Sequence, residues 1–125
     1  MAIKKKILVI DDEKGFAELI KMVLEDTGRY TVIAENNGEA GVEAALNNNP
    51  ALILLDLMMP GMDGPDVAEK IENNKATKDT PIIFLTAAVT DEETRGEGGD
   101  IGGRAFLAKP VKIKELIRCI DEKVS

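Results

Sequence analysis

Polar side chains follow four short apolar runs in this 125-residue chain. Asp11 and Asp12 follow the first run, Asp56 the third, Thr86 the fourth and Lys109 the fifth. If each run is a strand of one parallel sheet, these side chains converge where the carboxyl ends of the strands meet, and ligands bind at that edge of such sheets. The sequence therefore predicts one pocket with three carboxylates, a hydroxyl and an ammonium group.

A pocket of this kind favours a divalent cation. Two carboxylates about 4 Å apart repel each other by about 4 kcal/mol at an effective dielectric constant of about 20. Three carboxylates either raise their pKa values or bind a cation. Mg2+ fits because it binds through one or two carboxylates, keeps waters and leaves room for phosphate oxygens. With the metal and Lys109 in place, the negative oxygens of a phosphoryl group on Asp56 would be neutralised from two sides.

Each residue has a simpler explanation when it is considered alone. Asp11 and Asp12 could cap the first helix, and Asp56 could end a strand in a turn. Thr86 is typical of a β-branched strand residue, and Lys109 could lie in a surface turn. The chemical interpretation depends on the coincidence of these residues at separate strand ends.

The composition excludes several other kinds of chemistry. The chain has 23 acidic and 16 basic residues, a formal charge of −7, and this acidic balance argues against direct nucleic-acid binding. Histidine is absent, which removes Ser-His-Asp and Cys-His catalytic pairs. A single cysteine, Cys119, excludes a disulfide framework and fits a reducing compartment. The apolar run Ile7–Ile10 is far shorter than the ~20 residues that a bilayer requires, so we predict a cytoplasmic protein without membrane contact.

Short apolar runs alternate with helix-like segments along the whole chain. Strands are predicted at Ile7–Ile10, Thr31–Ala34, Ala51–Leu55, Ile82–Leu85 and Ala105–Leu107. Helices are predicted at Phe16–Leu24 with a stop at Gly28, Gly38–Leu46, Pro65–Asn74, Thr90–Asp100 and Ile113–Val124. This alternation predicts an α/β fold, a doubly wound five-stranded parallel sheet with helices on both faces, in a single domain over residues 1–125.

Four stretches of the chain form a more specific pattern. The most distinctive is Asp56–Gly64 (DLMMPGMDG), and it is supported by Asp11–Glu13, Thr86–Ala87 and Gly102–Pro110. In order and spacing these stretches resemble the receiver domain of two-component response regulators, and the resemblance extends over essentially all of the chain. It implies a chemotaxis-type, flavodoxin-like fold with strand order 2-1-3-4-5 and a function in phosphorelay signalling.

The resemblance implies that Asp56 is the phosphoacceptor. Its carboxylate would accept a phosphoryl group from the phosphohistidine of a sensor histidine kinase or a histidine phosphotransfer protein. Asp12 would be a direct Mg2+ ligand and Asp11 a water-mediated one. Asp56 and the backbone carbonyl of Met58 would complete the protein ligands. Lys109 would pair with a phosphoryl oxygen.

The resemblance also implies a conformational switch. Thr86 would hydrogen-bond the phosphoryl group and move toward it, and Phe106 would swing inward into the vacated space. The surface formed by the fourth helix, fifth strand and fifth helix would change and so control a downstream effector protein or output domain. A cis peptide bond between Lys109 and Pro110 would aim the lysine. The chain would then be a signalling domain with self-phosphorylation and autodephosphorylation chemistry, not an enzyme.

Several positions depart from the usual pattern of the family. Phe106 stands where tyrosine is more frequent, and Val111 where an aromatic residue is usual. Met58 and Ala88 occupy positions that can orient a hydrolytic water, and neither side chain can do so, which predicts a long-lived phosphoryl group. The fourth predicted helix, Thr90–Asp100, contains three glycines, each of which costs about 1 kcal/mol relative to alanine. We expect that helix to be short or mobile and to become ordered on phosphorylation.

Two alternative functions stay open. A receiver-like protein-interaction module would act without phosphorylation. A phosphatase of the haloacid dehalogenase type would also use a strand-end aspartate, but it would require an acid two residues after Asp56, where this chain has Met58. We expect Met1 to be the natural start, because the first strand follows almost directly. Ser125 would be either the native end or a boundary before an output domain.

Overall fold

The computed structural model of the chain describes residues 4–87, 99–101 and 104–124. The strands are β1 (Lys5–Ile10), β2 (Tyr30–Glu35), β3 (Leu52–Asp56), β4 (Ile82–Thr86), β5 (Gly99–Ile101) and β6 (Arg104–Ala108). The helices are α1 (Lys14–Asp26), α2 (Gly38–Asn48), α3 (Gly64–Glu72) and α4 (Ile113–Val124). Within these ranges, no helix has the length and apolar character that crossing a membrane requires.

One sheet contains all of these strands, in the order β2-β1-β3-β4-β6-β5. The neighbouring pairs among β2, β1, β3, β4 and β6 are parallel, so β6 is the fifth parallel strand. This arrangement confirms the predicted order 2-1-3-4-5. The short strand β5 lies at the edge of the sheet and pairs antiparallel with β6.

Both faces of the sheet are covered by helices, as predicted. Along β1, Ile7 and Val9 belong to one apolar cluster, which includes α1 residues such as Leu24 and the α4 residue Ile120. Leu8 and its neighbour two positions on belong to the second cluster, with residues of α2 and α3. Successive side chains of a strand point to opposite faces, so a continuous apolar run is the pattern of a strand buried on both faces. The sheet is therefore doubly wound.

Helix α2 lies very close to β1, and a glycine makes this approach possible. A Cβ atom built on Gly41 would lie 2.5 Å from Cδ1 of Ile10, a separation that real Cβ atoms do not show. The helix begins after Asn37, whose side chain accepts a hydrogen bond from the amide of Ala40. It ends before Asn49, whose backbone adopts the left-handed conformation. The position of α2 on the sheet therefore depends on the missing side chain of Gly41.

The helix predicted at Thr90–Asp100 is wrong at its carboxyl end. Gly99 and Asp100 lie in β5, whose Gly99 is opposite Phe106 of β6. The physical reason is that glycines weaken helix formation, while the edge of β6 presents unpaired backbone groups that an added strand satisfies. Residues 90–98 lie outside the described ranges, and the expected ordering of that segment on phosphorylation stays a prediction.

Candidate functional site

The strand ends bring the chemically interesting residues of the sequence to one edge of the sheet. Asp56 and Thr86 are the last residues of β3 and β4, while Asp11 and Lys109 directly follow β1 and β6. Backbone hydrogen bonds continue the strand ladders into these positions. The amide of Asp11 donates to the carbonyl of Glu35 at 3.0 Å, and the amide of Lys109 donates to the carbonyl of Thr86 at 2.9 Å. The sheet itself therefore positions these residues.

A cleft opens at this edge of the sheet. Its lining residues are Asp12, Glu13, Asp56, Met58, Thr86, Ala87 and Lys109. Asp11 lies beneath the cleft and is fully buried, whereas Asp12 is exposed. The burial of Asp56 and Thr86 is also nearly complete, at 6% and 1% exposure. The cleft thus has a buried polar floor and a solvent-exposed acidic rim.

Three carboxylates in the cleft are close enough to share one cation. One oxygen from each of Asp11, Asp12 and Asp56 lies within 4.8 Å of the others. Oδ1 of Asp11 accepts a hydrogen bond from the amide of Glu13 at 2.9 Å. Among the described residues, the buried Oδ2 of Asp11 makes no hydrogen bond of good geometry, and its ion-pair partner is Lys109. An oxygen-rich set with an under-satisfied buried acceptor fits a hard divalent cation such as Mg2+.

Lys109 places its ammonium group among the carboxylates. Its Nζ lies 2.8 Å from Oδ2 of Asp11, 3.0 Å from Oε1 of Glu13 and 3.8 Å from Oδ2 of Asp56. The peptide bond between Lys109 and Pro110 is cis, which confirms that prediction. The ammonium is therefore closer to the two acids at the beginning of α1 than to the acid at the end of β3.

Two further contacts of Lys109 were not predicted from the sequence. Glu13 was recognised only as part of the Asp11–Glu13 pattern, and Phe16 only as part of the apolar stripe of α1. The structure places the carboxylate of Glu13 against the ammonium and the ring centroid of Phe16 4.4 Å from Nζ. The signal in the sequence was weak, because Phe16 also packs against the core beneath α1.

Burial and the charges of the cleft raise the pKa of Asp56 strongly, to about 7. Burial is the largest cause, followed by the charge of Asp11 and a hydrogen bond with Asp12, while Lys109 and the amide of Met58 act in the opposite direction. The pKa of Lys109 is raised because its contacts with Asp11, Glu13 and Asp56 outweigh the opposing effect of burial. The acidic groups in and beneath the cleft therefore outnumber the ammonium group of Lys109.

The loop after Asp56 is held tightly against the end of β3. The amide of Met58 donates to Oδ1 of Asp56 at 3.3 Å, and the amide of Gly64 donates to the carbonyl of Leu57 at 2.9 Å. A Cβ atom on Gly64 would lie 2.6 Å from the carbonyl oxygen of Asp56. The side chain of Met58 is 67% exposed at the rim of the cleft. Its amide makes the described contact, so a ligand role for its carbonyl stays a prediction.

The two residues predicted to switch lie on neighbouring strands behind the cleft. Phe106 of β6 is opposite Phe84 of β4, and both belong to the apolar cluster under α2 and α3. Phe106 is only 4% exposed, and its movement on phosphorylation stays a prediction. Thr86 is buried beside Ala87, and Ala88 lies outside the described residues.

Comparisons with known proteins agree with this geometry. The sequence model of the response regulator receiver domain matches residues 7–121. The transcriptional regulatory protein SrrA of Staphylococcus aureus (strain NCTC 8325 / PS 47) is 41% identical over 112 residues, 90% of this chain and 44% of that protein. The chain thus spans less than half the length of this curated relative.

Solved structures resemble the chain over almost all of its length. The receiver domain of the Francisella response regulator 1452 has a TM-score of 0.81 and 30% identity, over 97% of both chains. The receiver domain of the sensor histidine kinase PA1611 from Pseudomonas aeruginosa PAO1 has a TM-score of 0.80 and 28% identity, over 98% of both chains. That structure contains a magnesium ion coordinated in the active site cleft. The chain therefore belongs to the response regulator receiver domain family, the signalling domains of two-component systems.

Proposed function

We propose that this chain is the phosphoacceptor of a phosphorelay, with Asp56 as the residue that becomes phosphorylated. The observation that supports this most directly is the cluster of Asp11, Asp12 and Asp56 beside the Lys109 ammonium. The donor would be a phosphohistidine on a sensor histidine kinase or a histidine phosphotransfer protein. An oxygen of Asp56 forms the new bond to phosphorus while the bond from phosphorus to the histidine nitrogen breaks, and the nitrogen keeps the electron pair.

The surrounding side chains compensate the charge that the phosphoryl group brings. Lys109, which already lies 3.8 Å from Asp56, pairs with one phosphoryl oxygen. The hydroxyl of Thr86, the last residue of β4, donates a hydrogen bond to another. Asp11, Asp12, Asp56 and the carbonyl of Met58 would hold Mg2+. When bound, this ion neutralises negative charge on the transferring group.

Phosphorylation would alter the surface that a partner reads. Thr86 moves toward the phosphoryl group, and Phe106 on the neighbouring strand swings inward into the vacated space. The affected surface lies on residues 90–98 of the predicted fourth helix, on β6 and on α4, which is the predicted fifth helix. This surface controls a downstream effector protein or an output domain. We propose one receiver domain over residues 1–125 and a location in the cytoplasm, with no direct contact to nucleic acid or membrane.

A phosphodonor assay tests this function. The protein is incubated with Mg2+ and phosphoramidate, and an acyl phosphate is detected by mass spectrometry. Wild type should form one adduct that is absent from Asp56→Asn. The matched control Asp79→Asn changes an exposed aspartate in the loop that leads into the start of β4, away from the cleft at the carboxyl ends of the strands, and it should form the adduct as wild type does.

The outcome also separates the alternatives. An absence of adduct on wild type would contradict the proposal and favour a module that acts by protein contact alone. Continuous hydrolysis of a phosphate monoester such as p-nitrophenyl phosphate would instead favour a phosphatase of the haloacid dehalogenase type, because a receiver that dephosphorylates itself also releases phosphate from phosphoramidate. That activity is disfavoured because Met58 stands where the second acid would be needed.

A further inference from the structure

The ammonium group of Lys109 lies on the α1 side of the cleft. It contacts Asp11 at 2.8 Å and Glu13 at 3.0 Å, whereas Asp56 is 3.8 Å away. The side chain of Lys109 is 12% exposed. Closer pairing with a phosphoryl group on Asp56 would draw the ammonium away from Asp11 and Glu13.

Glu13 is unusual for the position that it occupies. It is the N-cap residue of α1, where a side-chain oxygen normally accepts a hydrogen bond from the first turn of the helix. The side chain of Glu13 makes no such bond. Its carboxylate instead accepts a hydrogen bond from Lys109, a residue that is distant in the sequence. The side chain of Glu13 thus contacts Lys109 and does not cap α1.

The aromatic ring of Phe16 contacts the same ammonium group. The centroid of its ring is 4.4 Å from Nζ of Lys109, within the distance of a cation–π interaction. Phe16 lies one helical turn after Glu13, so both side chains lie on the same face of α1. The ring and the carboxylate therefore both contact the ammonium, in addition to Asp11.

We propose that Glu13 and Phe16 are positioning residues that hold Lys109 on the α1 side of the cleft until a phosphoryl group occupies Asp56. The proposal rests on the proposed function for its consequence, but not for the contacts themselves. When phosphorylation begins, the ammonium leaves Glu13 and pairs with a phosphoryl oxygen. Glu13 thereby opposes phosphorylation, because it competes for the one ammonium that the transferring group requires and adds negative charge beside it.

The first readout does not depend on phosphorylation. Nitrogen-15 relaxation of the Lys109 ammonium measures how tightly it is held. Glu13→Gln and Phe16→Leu should both lower its order parameter, while Glu18→Gln, the same change at an exposed site on α1, should not. Lys21, whose Nζ donates to the carbonyl of Val32 at 2.9 Å, is the internal reference.

The second readout is the rate of phosphorylation by phosphoramidate at saturating Mg2+. An exposed ion pair of this kind corresponds to about a two- to fivefold effect on an equilibrium. Glu13→Gln should therefore react about two- to fivefold faster than wild type, and Phe16→Leu should change the rate in the same direction. Glu13→Asp shortens the side chain but keeps its charge, so it should lower the order parameter of Lys109 as Glu13→Gln does and give a smaller increase in the rate.

The outcomes separate this proposal from the proposed function. An unchanged Lys109 order parameter in Glu13→Gln would overturn the positioning role, whatever the phosphorylation result. A slower reaction in Glu13→Gln, or a Glu13→Asp variant identical to wild type in both readouts, would also overturn it. If wild type accepts no phosphoryl group, the proposed function fails while the relaxation data still test the contacts. Denaturant unfolding of each variant verifies that the fold is retained.

Discussion

At the residue scale, the proposed function depends on the position of a few charges and not on the total charge. The chain has a formal charge of −7, but among the described residues four carboxylates, including that of Glu13, lie in or beneath the cleft with one lysine. Burial of Asp11 and Asp56 makes the imbalance expensive, which is why the pKa of Asp56 rises to about 7. A divalent cation would restore the balance, because it adds positive charge beside these carboxylates. We expect a phosphoryl group on Asp56 to require that cation, because the group adds further negative charge to the cleft.

A second charge contact, partly exposed and at the opposite end of the sheet, gives a pH prediction. Tyr30 donates a hydrogen bond to Oδ1 of Asp121 on α4, and Arg29 pairs with Oδ2 at 2.9 Å. Burial, this hydrogen bond and the charge of Asp121 raise the pKa of Tyr30 to about 12. Its pKa is then higher in the folded than in the unfolded protein. Stability from this contact is therefore complete below pH ~10 and is lost as the pH rises toward ~12.

Ultraviolet absorbance of tyrosinate measures this pKa directly, because the chain has one tyrosine and no tryptophan. Asp121→Asn should lower the pKa of Tyr30 toward its ordinary value. Glu122→Gln, the neighbouring change on α4, should leave it in place. Titration of wild-type Tyr30 near pH 10 would contradict the contact.

At the scale of elements, close packing of α2 on β1 determines the position of Asp11 and Asp12, which follow that strand. Glycine inside a helix ordinarily costs about 0.5–1 kcal/mol relative to alanine. At Gly41, however, a methyl group would overlap three side-chain atoms of Ile10, the nearest at 2.5 Å. Ile10 is fully buried and immediately precedes Asp11, so its displacement would also disturb the cleft.

We therefore expect Gly41→Ala to destabilise the protein by about 1–3 kcal/mol, despite the gain in helix propensity. Gly15→Ala is the matched control, since a Cβ on this helical residue of α1 meets no atom within 4 Å. That variant should be unchanged or up to about 1 kcal/mol more stable. Denaturant unfolding measures both. Equal effects of the two changes would show that packing against Ile10 is unimportant.

At the scale of the whole molecule, most of the architecture could be predicted because it follows from local patterns. Continuous apolar runs indicated strands buried on both faces, and apolar stripes with end signals such as Gly28 indicated the helices. The glycine-rich segment that ends in β5 could not be placed, since its strand exists only through pairing with β6. The contacts of Glu13 and Phe16 with Lys109 were hidden for a similar reason: they join the two ends of the chain.

The same long-range geometry predicts that Mg2+ binds the folded chain alone. Asp12 and Asp56 come together only when β1 and β3 pair, so the cation should bind the native state and stabilise it by mass action. At a hundredfold excess over its dissociation constant, the increase is about 2.7 kcal/mol. Asp12→Asn should lose most of this increase and Asp79→Asn should keep it, as measured by thermal unfolding with and without Mg2+. Asp12 is the exposed member of the cluster, so its substitution should leave the buried Asp11 and Asp56 in place. An equal rise in the stability of Asp12→Asn would therefore place the cation elsewhere.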